Sequence, residues 1–353
     1  MRVMCQDRMR EDKKGFLQFI AYSQVIGIIL VVVGNSLYEY PDGCHGSTFL
    51  LSRCIYSLHM PTFMFASGFL MMYTVFKEDG NILGFGSFMK KKTKRLLVPF
   101  VILTGLTFLP RIAMNSMAED KIEFSLEMFY KSFLYGEIMP IPFFWFLQAS
   151  FLLLVTSFLM LMVGTKLKIN KKMSSLVICG IYIGLFIWDE AKDVDFFSIG
   201  KAIKLGVYFA LGMIYACYFK DVNSWLPRDR MTIFMVFLIM WAVLFYMTEY
   251  TEYFIFCQLS GVVMVILLSH IISDTKVRIF DHLIGATYII FLLSWYVNML
   301  TQPVLSHYVS MPWWGYTVLS CVLGIYVPYA VYVWLQNHKQ HMYGKLISYG
   351  LGH

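Results

Sequence analysis

Ser57-Leu58-His59-Met60-Pro61-Thr62-Phe63-Met64-Phe65-Ala66-Ser67-Gly68 runs on to Phe76 without a charged residue. Phe63 to Phe76 is apolar enough to lie in hydrocarbon, so this stretch reads as the heart of a membrane-spanning helix. It also carries a histidine, a proline and a Ser-Gly pair. An ionisable side chain at that depth is expensive unless it faces a partner or a cavity, which makes His59 a candidate functional residue. The bland alternative is a structural histidine bonded to a backbone carbonyl that Pro61, one turn away, leaves without its donor. Both readings stand on this segment alone.

The rest of the chain has the same character. Of 353 residues, 58% are hydrophobic and only 14% charged, against about a quarter charged in soluble domains; the mean hydropathy is +0.63. Apolar runs of spanning length recur from near the start to near the end. The expectation is an all-α polytopic membrane protein, a single domain over 1–353 with short loops. The first apolar run follows a charged leader without a small-residue cleavage site, so it reads as the first span.

Ten spans are expected, at about 16–37, 49–76, 96–110, 143–163, 173–188, 199–219, 231–247, 254–272, 283–300 and 313–335. Between spans 3 and 4 lies the longest loop, in which Lys121 to Tyr130 suggests an interfacial helix or lid. With both termini in the cytoplasm, the cytoplasmic segments hold 22 of the 29 Lys and Arg residues. Basic and acidic-or-neutral loops then alternate throughout, as the positive-inside rule requires. The formal charge of +7 is explained by these loops, so it is no nucleic-acid footprint, and membrane lipids are the expected surroundings. The seven cysteines show no metal-binding spacing; Cys44 and Cys54 fall near the same outer face, where paired and unpaired states are both open.

Four segments together resemble the acyltransferase 3 family, multi-pass bacterial enzymes that O-acylate surface polysaccharides and related acceptors. Gln24-Val-Ile-Gly-Ile-Ile-Leu-Val-Val-Val-Gly-Asn35 is similar to the family's first helix, in which a basic residue precedes by eleven positions a histidine following glycine. The Ser57 to Gly68 stretch resembles its FHMPLFFFLSG segment and is the most specific match. Lys92-Thr-Lys-Arg95-Leu-Leu-Val-Pro99-Phe resembles the basic pair and RLLVPY that open the third helix, and Trp145-Phe146-Leu147 the WFL of the fourth. A weaker echo is Ile290 to Trp295, like the late YLLHWP. The chain departs from the pattern at Gln24 (family Arg or Lys), Asn35 (family catalytic His) and Ser294 (often His).

The resemblance implies transfer of an acyl group, acetyl in type, from a cytoplasmic acyl-CoA co-substrate to a hydroxyl of a glycan or lipid-linked acceptor. It implies location in the cytoplasmic (inner) membrane and no bound cofactor. Such transfer needs a base for the hydroxyl proton and donors for the developing oxyanion. An amide is not basic but can donate a hydrogen bond. His59 is therefore the expected base and Asn35 the positioning or oxyanion group. Lys92 and Arg95 are expected to meet the CoA phosphates, and Arg53, Ser57 and Trp145 to contact substrate. The changes at 24, 35 and 294 also admit a non-catalytic relative acting as transporter or assembly partner for polysaccharide.

Overall fold

The computed structural model describes residues 2–37, 46–76, 81–113, 125–225, 229–248, 254–275, 278–338 and 340–352. It is 87% helical, with no strand among the described residues. In chain order the helices are α1 (Arg2–Ser36), α2 (Gly46–Val75), α3 (Phe85–Lys92), α4 (Val98–Ala113), α5 (Leu126–Leu134), α6 (Trp145–Lys166) and α7 (Lys171–Ile187). Then follow α8 (Asp189–Lys192), α9 (Ile199–Trp225), α10 (Arg230–Met247), α11 (Phe254–Thr275), α12 (Arg278–Leu283), α13 (Thr287–Tyr308), α14 (Trp313–Asn337) and α15 (Met342–Gly350).

Eight stretches among the described residues are helical, long and apolar enough to cross a membrane. They coincide with expected spans 1–4, 6–8 and 10. The other two expected spans fall on α7, with 17 residues, and on α13, whose shorter apolar part is Thr287–Thr301. The chain is an all-α, multi-pass membrane protein. In such a protein the helix satisfies every backbone N–H and C=O within its own segment, which hydrocarbon cannot do. α10 carries this furthest: Met235, Val236, Ile239 and Val243 are all exposed, a greasy surface suited to lipid rather than water.

Two compact units are formed. One comprises Met1–Ala66 with Asn223–Asn337, the other Ser67–Val222 with His338–His353. The first is built on α1, which packs against α11, α13 and α14. Its buried residues Phe19, Tyr22, Val25, Ile28 and Val32 recur every three or four positions, so one face enters the core. In the second unit α6 and α7 are tied by Tyr182, whose hydroxyl lies 2.8 Å from both Thr156 Oγ1 and Ser157 Oγ. There, too, Gly68 abuts the backbone of Phe209, leaving no room for a Cβ.

Three local features differ from expectation. Span 3 begins earlier, because α3, a π turn at Thr93–Leu97 and α4 follow one another directly, placing Lys90 to Arg95 on helix rather than loop. Pro99 offers no N–H to the Arg95 carbonyl, and the wider π turn absorbs that break. The expected helix at 121–130 is α5, shifted later; its start is fixed by Ser125, whose hydroxyl accepts from Met128 N at 3.0 Å. Residues 114–124, with Lys121, lie outside the described residues. Finally, the segment expected as a tail forms α15, which packs on α4. Cys54 is a free thiol; Cys44 lies outside the described residues.

Candidate active site

His59 sits on α2 and is 2% exposed. Its Nδ1 is 2.7 Å from the carbonyl oxygen of Ile55, one turn back. A carbonyl can only accept, so Nδ1 carries the proton and Nε2 the lone pair of the neutral ring. The carbonyl used belongs to Ile55, not to Ser57, the one that Pro61 deprives of its donor. A structural bond and a proton-accepting nitrogen are thus compatible in one imidazole: one nitrogen fixes the ring and the other keeps its lone pair. The Tyr56 ring stands edge-on to it, centroids 4.9 Å apart.

Neighbouring positions on α2 are held from other directions. Ser57 donates to the Cys54 carbonyl at 2.7 Å and accepts from the indole N–H of Trp241 on α10 at 3.1 Å. The Arg53 guanidinium lies over two rings, 5.3 Å from the Phe245 centroid and 5.8 Å from that of Phe49, a favourable place for a cation in apolar surroundings.

Asn35 reaches this neighbourhood from α1. A Cβ on Gly34 would meet Ile55 Cγ2 at 3.2 Å, and one on Gly27 would meet Phe63 at 3.0 Å. Those two approaches fix α1 and α2 as antiparallel neighbours, with Asn35 level with about residue 54. His59 is then about one turn deeper, an axial offset of roughly 6–8 Å at 1.5 Å per residue. The Asn35 amide nitrogen is buried without a hydrogen-bond partner among the described residues. Asn35, Arg53, Ser57 and His59 all belong to the first unit.

The other expected residues belong to the second unit. Lys92 ends α3 with its Nζ 5.6 Å from the Phe88 ring centroid. Arg95 is exposed within the π turn. Beside them the chain's last residues close on the same turn: Gly352, at φ +73°, lies so near that a Cβ would stand 2.6 Å from Arg95 O and 2.9 Å from Pro99 Cγ. Lys94 Nζ lies 5.0 Å from the Tyr349 ring of α15. In the same unit, Lys201 Nζ lies 5.1 Å from the Trp145 ring centroid. Close by, Gln148 binds the Phe133 carbonyl at 2.8 Å and accepts from Ser198 Oγ at 2.7 Å.

A family model described as an acyltransferase domain matches residues 17–333. The chain belongs to the acyltransferase 3 family. Neither a curated protein nor a solved structure matches it. For an acyltransferase 3 protein, the match runs through α1 to α14 and so includes every expected site residue. Trp241 and α15 escaped sequence reading because each acquires meaning only through a partner distant in the chain. A weak signal for one further group was present: Ser294 and Asn298, and Ser320 and Gly324, are small or polar pairs at i, i+4 spacing in otherwise apolar helices.

Proposed function

We propose that this acyltransferase 3 protein transfers an acetyl-type acyl group from acyl-CoA to a hydroxyl of a surface glycan or lipid-linked glycan. The observation that carries the reading is the His59 geometry, a buried imidazole anchored through Nδ1 with the lone pair on Nε2. In the proposed step Nε2 takes the proton of the acceptor hydroxyl as its oxygen attacks the thioester carbonyl. The C–S bond breaks, and the departing CoA sulfur receives the proton from the imidazolium, so charge and protons balance. Asn35 Nδ2 supplies a hydrogen bond to the transient oxyanion. Lys92 and Arg95 balance the CoA phosphates, while Arg53, Ser57 and Trp145 contact the substrates.

The test uses purified full-length protein in lipid nanodiscs, with acyl-CoA and an acceptor glycan extract, following release of CoA thiol. His59→Asn keeps a short amide able to reach Ile55 O but has no basic nitrogen. It is expected to lower turnover by about 10²–10⁴-fold while acyl-CoA affinity stays near wild type. Transfer that survives His59→Asn would remove this residue from the chemistry. A second reading, a non-catalytic transporter or assembly partner, draws on Asn35 and Ser294 standing where the family pattern has histidine; it predicts no thiol release from the wild type itself.

A further inference from the structure

In the first unit α1, α13 and α14 pack against one another, and an unusual set of neutral polar groups lies between them. Ser36, Ser294 and Ser320 are 0% exposed and Asn298 is 2% exposed. Ser36 donates its hydroxyl proton to the Val32 carbonyl at 2.6 Å and accepts from Asn298 Nδ2 at 3.0 Å. Because the serine proton is committed to Val32, only an N–H of Asn298 can face Ser36. The amide orientation is thereby fixed, and Oδ1 is the atom turned away.

That Oδ1 makes no hydrogen bond among the described residues, and neither do Ser294 Oγ or Ser320 Oγ. The placement is not random. Ser294 is one turn before Asn298 on the same face of α13. Ser320 is one turn before Gly324 on α14, and Gly324 is where α14 meets the other two helices. A Cβ on Gly324 would lie 3.1 Å from Asn298 Oδ1 and 3.0 Å from Val32 Cγ1. Glycine thus leaves uncovered the acceptor edge that any other residue would crowd.

Most buried polar atoms in folded proteins are paired, and in hydrocarbon an unpaired one is especially costly. α13 and α14 are joined by four residues and pack closely as an antiparallel pair. Ser294 and Ser320 therefore lie on opposite sides of the Asn298–Gly324 level, about 12 Å apart along the seam at 1.5 Å per residue. The seam calls for more than one small partner able to donate or accept. Asn298 Oδ1 requires a donor; the two serines supply a donor or an acceptor each. The named side chains of the seam carry no charge, which disfavours a carboxylate or phosphate there. We propose that this seam is an intramembrane binding site for neutral O–H groups, supplied by water or by an alcohol. The proposal does not rest on the acyl-transfer reading.

The test introduces Ser320→Cys and Ser294→Cys, near-isosteric changes, into full-length protein in nanodiscs. The other native cysteines are replaced by alanine except Cys257, which is 0% exposed and serves as the dry control. Alkylation by a small polar thiol reagent is read by peptide mass. The expected result is labelling of both seam cysteines with Cys257 unlabelled. Seam cysteines as unreactive as Cys257, in protein that is monodisperse, overturn the proposal. A second measurement covers poorly folding cysteine variants. If the serines are hydrogen-bonded to an O–H ligand, Ser294→Ala and Ser320→Ala lower the thermal midpoint; if they are dry orphans, removal raises it, which also overturns the site. Repeating the labelling with glycerol and methyl glucoside distinguishes the sources: slowed labelling identifies an alcohol, unchanged labelling water.

Discussion

At the residue scale, the site depends on side chains doing two things at once. His59 spends one nitrogen on Ile55 O, and Ser57 both donates and accepts. Trp241 is the partner that ties Ser57 to α10, and its ring also packs beside Gly261, where a Cβ would come within 3.2 Å of Cδ1. Trp241→Phe removes the indole N–H but keeps an aromatic ring. One lost hydrogen bond is worth about 1 kcal/mol, and the smaller ring leaves some space unfilled. The thermal midpoint of the nanodisc-embedded protein should therefore fall by a few degrees, with acyl-CoA affinity unaffected. An unchanged midpoint would show that the Ser57 contact contributes nothing to the fold.

At the element scale, helix ends and helix crossings set the geometry. The start of α10 is fixed by Asp229, whose carboxylate accepts from Thr232 N at 3.2 Å and from the Thr232 hydroxyl. These bonds favour the ionised carboxylate and hold its pKa below the ordinary value of 3.8. A depressed carboxylate contributes stability above its unfolded pKa and loses it as pH falls through the folded one. Hydrogen-exchange protection of the first turn of α10 should thus be constant near neutrality and decline only in acid below the ordinary value. Asp229→Asn, which keeps a capping oxygen, should flatten that dependence; the same decline in the variant would place its cause elsewhere. The crossing of α2 with α9 is stricter. A methyl on Gly68 would collide with the Phe209 carbonyl, and backbone cannot rotate away as a side chain can. Gly68→Ala is expected to cost about 1–3 kcal/mol or more, seen as reduced yield of monodisperse protein. Normal yield and melting would mean that the two helices separate freely.

At the scale of the whole molecule, the expected topology rests on where the basic residues lie, since loops rich in Lys and Arg favour the cytoplasmic side. Reporter fusions after Asn81, Asn170 and Lys339 should report the cytoplasm, and fusions after Asp193 and Met311 the outer face. The pair after Asn170 and Asp193 bracket α7, and their opposite signals would establish that this 17-residue helix crosses the membrane. Same-side signals there would leave α7 as a re-entrant or interfacial element.

The helical class, the recurrent spans and the family were legible in the chain because hydropathy and the motif spacings are local properties. The Ser57 to Gly68 and Lys92 to Phe100 stretches can be read without knowing what lies beside them. So could the candidate residues, one at a time. Which of them meet was not legible. Ser36 finds Asn298 across 262 positions, and Ser57 finds Trp241 across 184. Neutral serines, asparagines and tryptophans carry no sign of their partner in a linear pattern, unlike charges that obey a sidedness rule. The π turn before Pro99, the docking of α15 and the polar seam of α1, α13 and α14 were decided only when apolar helices packed and brought those groups within hydrogen-bond reach.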